Sequence, residues 1–158
     1  LPILKKDALE ETINSATQLG VNTIQLIKTE KIHRKWQNKE LQRLEKIIIA
    51  AAEQAKNFSF PNILDPIDFE DAINRYNTSH CFFADPHGKH LLPVINQLTR
   101  EKNSIKNLIL MVGPEADLSD NEKISIKKAG FSFVKLTATI LRAEQAAALL
   151  VGIFRTLL

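Results

Sequence analysis

Apolar positions in the first third of the chain fall at helical spacing. Leu9, Ile13, Ala16 and Leu19 form one stripe, which predicts a helix over residues 5–19 that Gly20 stops. Residues 21–27 then read as a strand and residues 28–39 as a polar, basic loop. Leu41, Leu44, Ile47, Ile48, Ala51 and Ala55 return to helical spacing, predicting a second helix over residues 39–56. Pro61 and Pro66 mark residues 57–66 as a connector, ahead of a short helix over residues 68–76.

The pattern shortens in the second half. Residues 80–84 are a candidate buried strand, closed by a turn at Asp85-Pro86-His87-Gly88. Residues 91–100 fit either a helical turn or a loop. A continuous apolar run predicts a strand over residues 107–112, as expected where both faces of a sheet are covered. A helix over residues 119–129 ends before Gly130, a strand covers 131–136, and a closing helix runs from 142 to 158. Strands alternating with helices predict an α/β fold, a mostly parallel sheet covered by helices on both faces. At 158 residues the chain suits one domain, and neither a repeat nor a linker divides it.

Composition narrows the class only slightly. With 44% hydrophobic and 25% charged residues, the chain is ordinary for a globular protein. A net charge of +3 permits a nucleic-acid partner without requiring one. Cys81 is the one cysteine, so an internal disulfide is impossible; that fits a reducing compartment, and a cytoplasmic location is expected. Within Cys81-Phe82-Phe83-Ala84 the thiol reads as buried and inert. Residues 146–154, the longest apolar stretch, reach about half of the ~20 residues a membrane span needs, so no membrane association is expected. A charged-then-apolar leader is not visible, and because Leu1 stands where a Met would open a chain, upstream sequence is expected.

Two strand-to-helix corners carry most of the chemical information. In the first, Gly113-Pro114-Glu115 follows the 107–112 strand and leads to Ser119-Asp120-Asn121-Glu122. Ser followed three residues later by Glu is a capping box, each side chain satisfying a backbone N–H at the other end. Gly113 at a strand's carboxyl end either lets a ligand approach the backbone closely or serves a tight turn. Glu115 either pairs with Arg142 of the second corner, Ile140-Leu141-Arg142, or is a surface carboxylate. The five glycines form neither G-x-G-x-x-G nor a P-loop, which argues against a dinucleotide or nucleoside-triphosphate site. His80, Cys81, His87 and His90 match no zinc spacing, so no metal is expected. In the basic loop, Lys28, Lys31, Arg34 and Lys35 can neutralise phosphates, with Lys39 at its end, while Trp36 either stacks on an unpaired base or tucks into the core. The closing helix is apolar almost all round and needs cover on several sides, which suggests a symmetric dimer.

Together these segments resemble the bacterial methyltransferases that modify N3 of a uracil in 16S ribosomal RNA, members of the trefoil-knotted SPOUT superfamily. Leu19-Gly20-Val21, Thr29-Glu30-Lys31 and Ala52-Glu53-Gln54 match its weaker signatures; Gly113-Pro114-Glu115, Leu118-Ser119, Glu122 and Ile140-Leu141-Arg142 with Glu144 match the stronger ones. The resemblance covers nearly the whole chain. It implies a C-terminal trefoil knot, a homodimer, and S-adenosylmethionine held by backbone around Leu110, Val112, Gly113, Pro114 and Glu115 and around Leu136, Ile140 and Leu141. It further implies 16S ribosomal RNA or the small ribosomal subunit as partner. In such a reaction Arg142 either stabilises negative charge on the base or forms an ion pair with Glu115 or Glu144 that braces the two corners. On this reading residues 1–158 are the methyltransferase domain, and the family's N-terminal RNA-gripping β-barrel is absent from the chain. Ala116 and Thr137 stand where the family usually has glycine, Thr139 where it often has arginine, and Ala143 and Gln145 where threonines flank Glu144. These replacements motivate a competing reading, a catalytically degenerate dimeric RNA-binding protein on the same scaffold.

Overall fold

Residues with helical and strand periodicity fold in the order α1 (Lys6–Gln18), β1 (Thr23–Lys28), α2 (Asn38–Ala55), β2 (Asn62–Asp68), α3 (Phe69–Arg75), β3 (Cys81–His90), α4 (Leu91–Glu101), β4 (Ile109–Met111), α5 (Asp120–Lys128), β5 (Ser132–Lys135) and α6 (Ala143–Leu157). The structure, a computed structural model, describes residues 1–158 except 33, 77–79, 102–104, 106 and 158. His33 of the basic loop and Leu158 of the closing helix therefore lie outside the described residues. Gly20 and Gly130, the stops read after α1 and α5, take φ of +77° and +87°, the left-handed geometry that glycine adopts without strain.

Every pairing between these strands is parallel. β1 pairs with β2, and β3 lies between β4 and β5. A bridge from Pro2 to Ile27 adds the chain's first residues beside β1. Side chains alternate across the sheet as the pleat requires. Cys81 and Phe83 of β3 enter a cluster with Phe69 and Ile73 of α3 and Ile126 of α5. Phe82, between them, enters the opposite cluster with Leu98 of α4 and Leu150 and Phe154 of α6. β1 divides likewise: Ile24 and Leu26 pack against Leu9 and Ile13 of α1 and Leu44 and Ile48 of α2, whereas Ile27 joins the α3/α5 side. Helices thus cover both faces, as the continuous apolar strands predict.

Three local readings change. The 57–66 connector holds the start of β2, where Ile63 is buried. Pro66 is accommodated because two residues, Asp65 and Pro66, stand opposite the single Leu26, a bulge where a missing N–H breaks no ladder bond. Residues 91–101 are the helix α4, with Pro93 in its first turn, where no intrahelical N–H bond is lost. Finally, β3 does not stop at the Asp85–Gly88 turn. Ala84 and Lys89 both pair with Val134, so residues 85–88 leave the sheet and the chain returns to the same place on β5.

Candidate functional site

Because β4, β3 and β5 are parallel, the segments after β4 and β5 and the 85–88 excursion of β3 emerge at one end of their sheet, where open α/β folds bind ligands. The segment after β1, of the two-stranded sheet, reaches the same place through Glu30 and Lys31. The first corner, residues 112–119, leaves β4; the second, residues 136–142, leaves β5. Both strands flank β3: Phe83 pairs with Met111 on one side and Phe133 on the other. Leu110, Val112 and Leu136 share the apolar cluster beneath them, with Val112 buried.

The capping box read in the first corner is present. Ser119 N–H donates to Glu122 Oε2 at 2.8 Å, and Glu122 N–H to Ser119 Oγ at 3.2 Å. Glu122 does more than the sequence suggests, since its other oxygen accepts from Glu30 N–H at 2.8 Å while the side chain is buried. Lys31 Nζ donates to the Leu118 carbonyl at 3.0 Å and lies 3.4 Å from that of Ala116. Glu115 Oε1 accepts from Lys5 N–H at 2.9 Å. The Thr29-Glu30-Lys31 segment and the first corner, matched as separate signatures, are therefore one hydrogen-bonded unit.

Asp117 holds this turn in shape. Its φ of +59° is left-handed, a region aspartate tolerates better than most residues, and its N–H donates to the Pro114 carbonyl at 2.9 Å. Among the described residues neither Ala116 nor Thr137 has a positive φ, so the side chains that replace glycine there impose no backbone strain. Pro114 is buried, and Gly113 has room: a Cβ placed on it would meet nothing closer than Asp117 Oδ1 at 3.5 Å.

The second corner is held loosely. Thr137 Oγ1 donates to the Thr139 carbonyl at 2.7 Å, and Arg142 N–H reaches Gln145 Oε1 at 3.4 Å. Among the described residues, the N–H groups of Ala138, Thr139, Ile140 and Leu141 donate to no protein acceptor. Ile140 is 83% exposed, an unusual position for an isoleucine beside unpaired backbone. Arg142, its side chain 82% exposed, lies 4.0 Å from Glu144, whereas Glu115 is engaged by Lys5.

Of the basic-loop residues, Lys28 pairs with Asp68 at 3.2 Å, and Arg34 pairs with Glu40 and reaches the Leu4 carbonyl. Lys31 braces the first corner and Lys35 is exposed. Trp36 packs on the α1/α2 core, the structural option of the two read for it, although its Nε1 is buried without an acceptor among the described residues. Cys81 is buried, its thiol donating to the Tyr76 carbonyl at 3.2 Å. Among the described residues no group of three or more His, Cys, Asp or Glu is placed to hold a metal ion. Nor is any helix there long and apolar enough to cross a membrane.

One cluster escaped the sequence reading. Lys123 of α5 lies 3.2 Å from Asp85 Oδ2 and 2.7 Å from Asp117 Oδ2. Burial works to lower its pKa, but hydrogen bonds and charge from Asp117 and Asp85 outweigh it and hold the ammonium above its ordinary 10.5. Two surface hollows take no lining from either corner: about 260 Å3 around Phe58 and Phe60, and about 490 Å3 between His80, Phe82 and α4. What the corners offer a ligand is exposed backbone at an open sheet edge.

These features define a parallel α/β protein with two backbone-lined corners at the carboxyl ends of its strands. The chain belongs to the RNA methyltransferase domain family, whose profile it matches over residues 1–155. It is 30% identical over 156 residues to the ribosomal RNA small subunit methyltransferase E of Mesomycoplasma hyopneumoniae, covering 93% of this chain and 63% of that protein. The namesake from Rickettsia conorii is 30% identical over 151 residues, covering 92% and 58%. The crystal structure of the corresponding Neisseria gonorrhoeae protein bound to S-adenosyl methionine superposes with a TM-score of 0.82 at 24% identity, over 99% of this chain and 63% of that one. The family resemblance drawn from the motifs is thus borne out. The chain spans about three-fifths of the length of these curated relatives.

Proposed function

We propose that this chain transfers a methyl group from S-adenosylmethionine to N3 of a uridine in 16S ribosomal RNA of the small subunit. One observation carries the proposal: strand order β4-β3-β5 brings the two corners to one edge, with the backbone donors of residues 138–141 unpaired. Such a donor set suits the acceptor-rich edge of an adenine and its ribose, over an apolar floor that includes Leu110, Val112 and Leu136. Leu110, Val112, Gly113, Pro114, Glu115, Leu136, Ile140 and Leu141 would hold the cofactor. When bound, it supplies an electrophilic methyl group that needs only alignment with the attacking nitrogen.

The remaining work falls to the chain's own groups. Uracil N3 must lose its proton before it can attack, which leaves negative charge on the base oxygens. Arg142, exposed beside the second corner and held among the described residues by a 4.0 Å contact to Glu144 alone, is placed to meet that charge. Lys35 and the weakly paired, exposed Lys28 would contact phosphates, while Lys31 and Arg34 fix the basic loop beside the donor site. The half-buried apolar residues Leu149 and Val151 on α6 support a homodimer, and the knot is what the family likeness implies for residues 107–158. Residues 1–158 would then form the methyl-transferring domain. A ribosomal RNA target and a single buried thiol fit the cytoplasm.

Calorimetry with S-adenosylmethionine tests the cofactor, and reverse transcription of treated small-subunit RNA tests the product, because methylation at N3 blocks pairing and stops extension. We expect saturable binding and one new stop at a uridine. A well-folded chain that bound no donor would end this reading in favour of the non-catalytic RNA-binding protein. The negative φ of Ala116 and Thr137 supports the enzyme.

A further inference from the structure

The excursion of β3 at residues 85–88 lies between the two corners and contacts both sides. Asp85 is buried, its Oδ1 accepting from His87 N–H at 2.7 Å and its Oδ2 facing Lys123 Nζ at 3.2 Å. The same ammonium holds Asp117 Oδ2 at 2.7 Å, and Asp117 is the left-handed residue that shapes the first corner. At its other end the loop lies flat against β5: a Cβ on Gly88 would fall 2.6 Å from the backbone of Phe133 and Val134. Two residues beyond Val134 the second corner begins. A continuous connection therefore runs from the first corner through Asp117, Lys123, Asp85 and Gly88 to the strand that delivers the second.

Among the described residues no hydrogen bond joins loop 85–88 directly to loop 112–118. Lys123, reaching in from α5, is what couples them. A buried carboxylate that served only a surface turn would be expensive without its cation, and solvent could satisfy an exposed turn more cheaply. The arrangement makes sense if the spacing of the two loops matters.

We infer that Lys123 is a positioning residue for the methyl donor: by bridging Asp85 and Asp117 it fixes the separation of the loops that flank the cofactor. This rests on the reading that the corners bind S-adenosylmethionine. Its backbone N–H serves the start of α5, donating to the Ser119 carbonyl at 3.0 Å, whereas among the described residues its ammonium meets only the two aspartates and acts through them. Its removal loosens donor binding, and arginine, which keeps the charge and can span two carboxylates, largely restores it.

Three variants of the 158-residue chain test this by donor calorimetry and thermal unfolding. Lys123→Met is expected to raise the donor Kd on the order of 10-fold or more, since small displacements of a binding shell have effects of that size. Lys123→Arg should bind within roughly 3-fold of the unaltered chain if the charge carries the role. Because Lys123→Met leaves Asp85 buried without a cation and risks the fold, Asp85→Asn is combined with it. That double variant should recover the unfolding midpoint while donor affinity stays weak. In turnover, KM for the donor should rise with kcat at saturating donor little changed. Donor binding by the folded double variant equal to that of the unaltered chain would overturn the inference. Failure of the unaltered chain to bind donor would instead overturn the proposed function itself.

Discussion

Glu122 shows how one side chain can tie a helix start to a distant loop. Its two oxygens accept from Ser119 N–H and Glu30 N–H, at a position with little access to water. Glu122→Ala is expected to destabilise the chain by about 2–4 kcal/mol, combining a lost cap with a buried donor left unmet. Ser119→Ala should cost only about 1 kcal/mol, because it removes the cap alone. Urea unfolding of both variants checks the ordering, and equal costs would mean that the Glu30 bond contributes nothing. Two glycines give a sharper contrast. Gly88→Ala must push its Cβ to within 2.6 Å of the β5 backbone and is expected to cost about 3 kcal/mol or more. At Gly113 the nearest atom would be 3.5 Å away and φ is not positive, so Gly113→Ala should leave stability unchanged or up to about 1 kcal/mol higher. If that variant folds normally but loses donor affinity, the space above Gly113 belongs to the ligand. Undiminished affinity would assign the glycine to the turn.

Among the elements, the sequence exposed periodicity better than exceptions to it. The helices with apolar stripes and the β1, β4 and β5 runs were legible, because burial on one or both faces imposes their pattern directly. β2 was not, since Pro61 and Pro66 signal a connector while the bulge opposite Leu26 that admits Pro66 depends on pairing with β1. The return of β3 at Lys89 was equally hidden, because the two halves of that strand share one partner residue. In the site, both corners could be read as strand-to-helix turns, but the link from Lys31 and Glu30 to the first corner spans more than 80 residues and leaves no local trace. The Lys123 bridge is of the same kind, and pH reports it. Its folded pKa lies above the unfolded 10.5, so its stabilising contribution is fully present below that pH and is lost as pH rises through the folded value. Thermal midpoints should therefore fall on the alkaline side of 10.5, and less so in Lys123→Met; parallel profiles would show that the bridge contributes no stability. Arg142 belongs to the opposite category. Exposed and barely paired, Arg142→Ala should shift stability by less than about 0.5 kcal/mol, keep donor affinity, and slow methyl transfer on the order of 100-fold. Unchanged transfer would remove it from the reaction.

For the whole molecule, α6 is the element that this chain leaves partly uncovered. Ala147, Leu150 and Phe154 are buried against the sheet and neighbouring helices, with Phe154 stacked 5.0 Å from Phe82. Ala148, Leu149, Val151, Gly152 and Ile153 are only half-buried by this chain, on a helix that carries a single charge between Gln145 and Thr156. Gly152 lies over Leu19 and Ile153 against the core, so Ala148, Leu149 and Val151 are what a two-fold partner would cover; apolar helix surface with so little charge is unusual in a monomer. In such an interface every residue meets its own symmetry mate or that mate's neighbour, so one substitution acts twice. Val151→Asp would bring two carboxylates into a desolvated contact, where neither can be paired. The unaltered chain is expected to sediment as a dimer with a concentration-dependent unfolding midpoint, and Val151→Asp as a folded monomer. If the corners of one subunit are completed by the other, the monomer will also bind donor more weakly, although residue 151 lies well along α6 from the second corner. A chain that sediments as a monomer at all concentrations, with Val151→Asp indistinguishable from it, would leave α6 as the outer surface and the donor site as the work of one subunit alone.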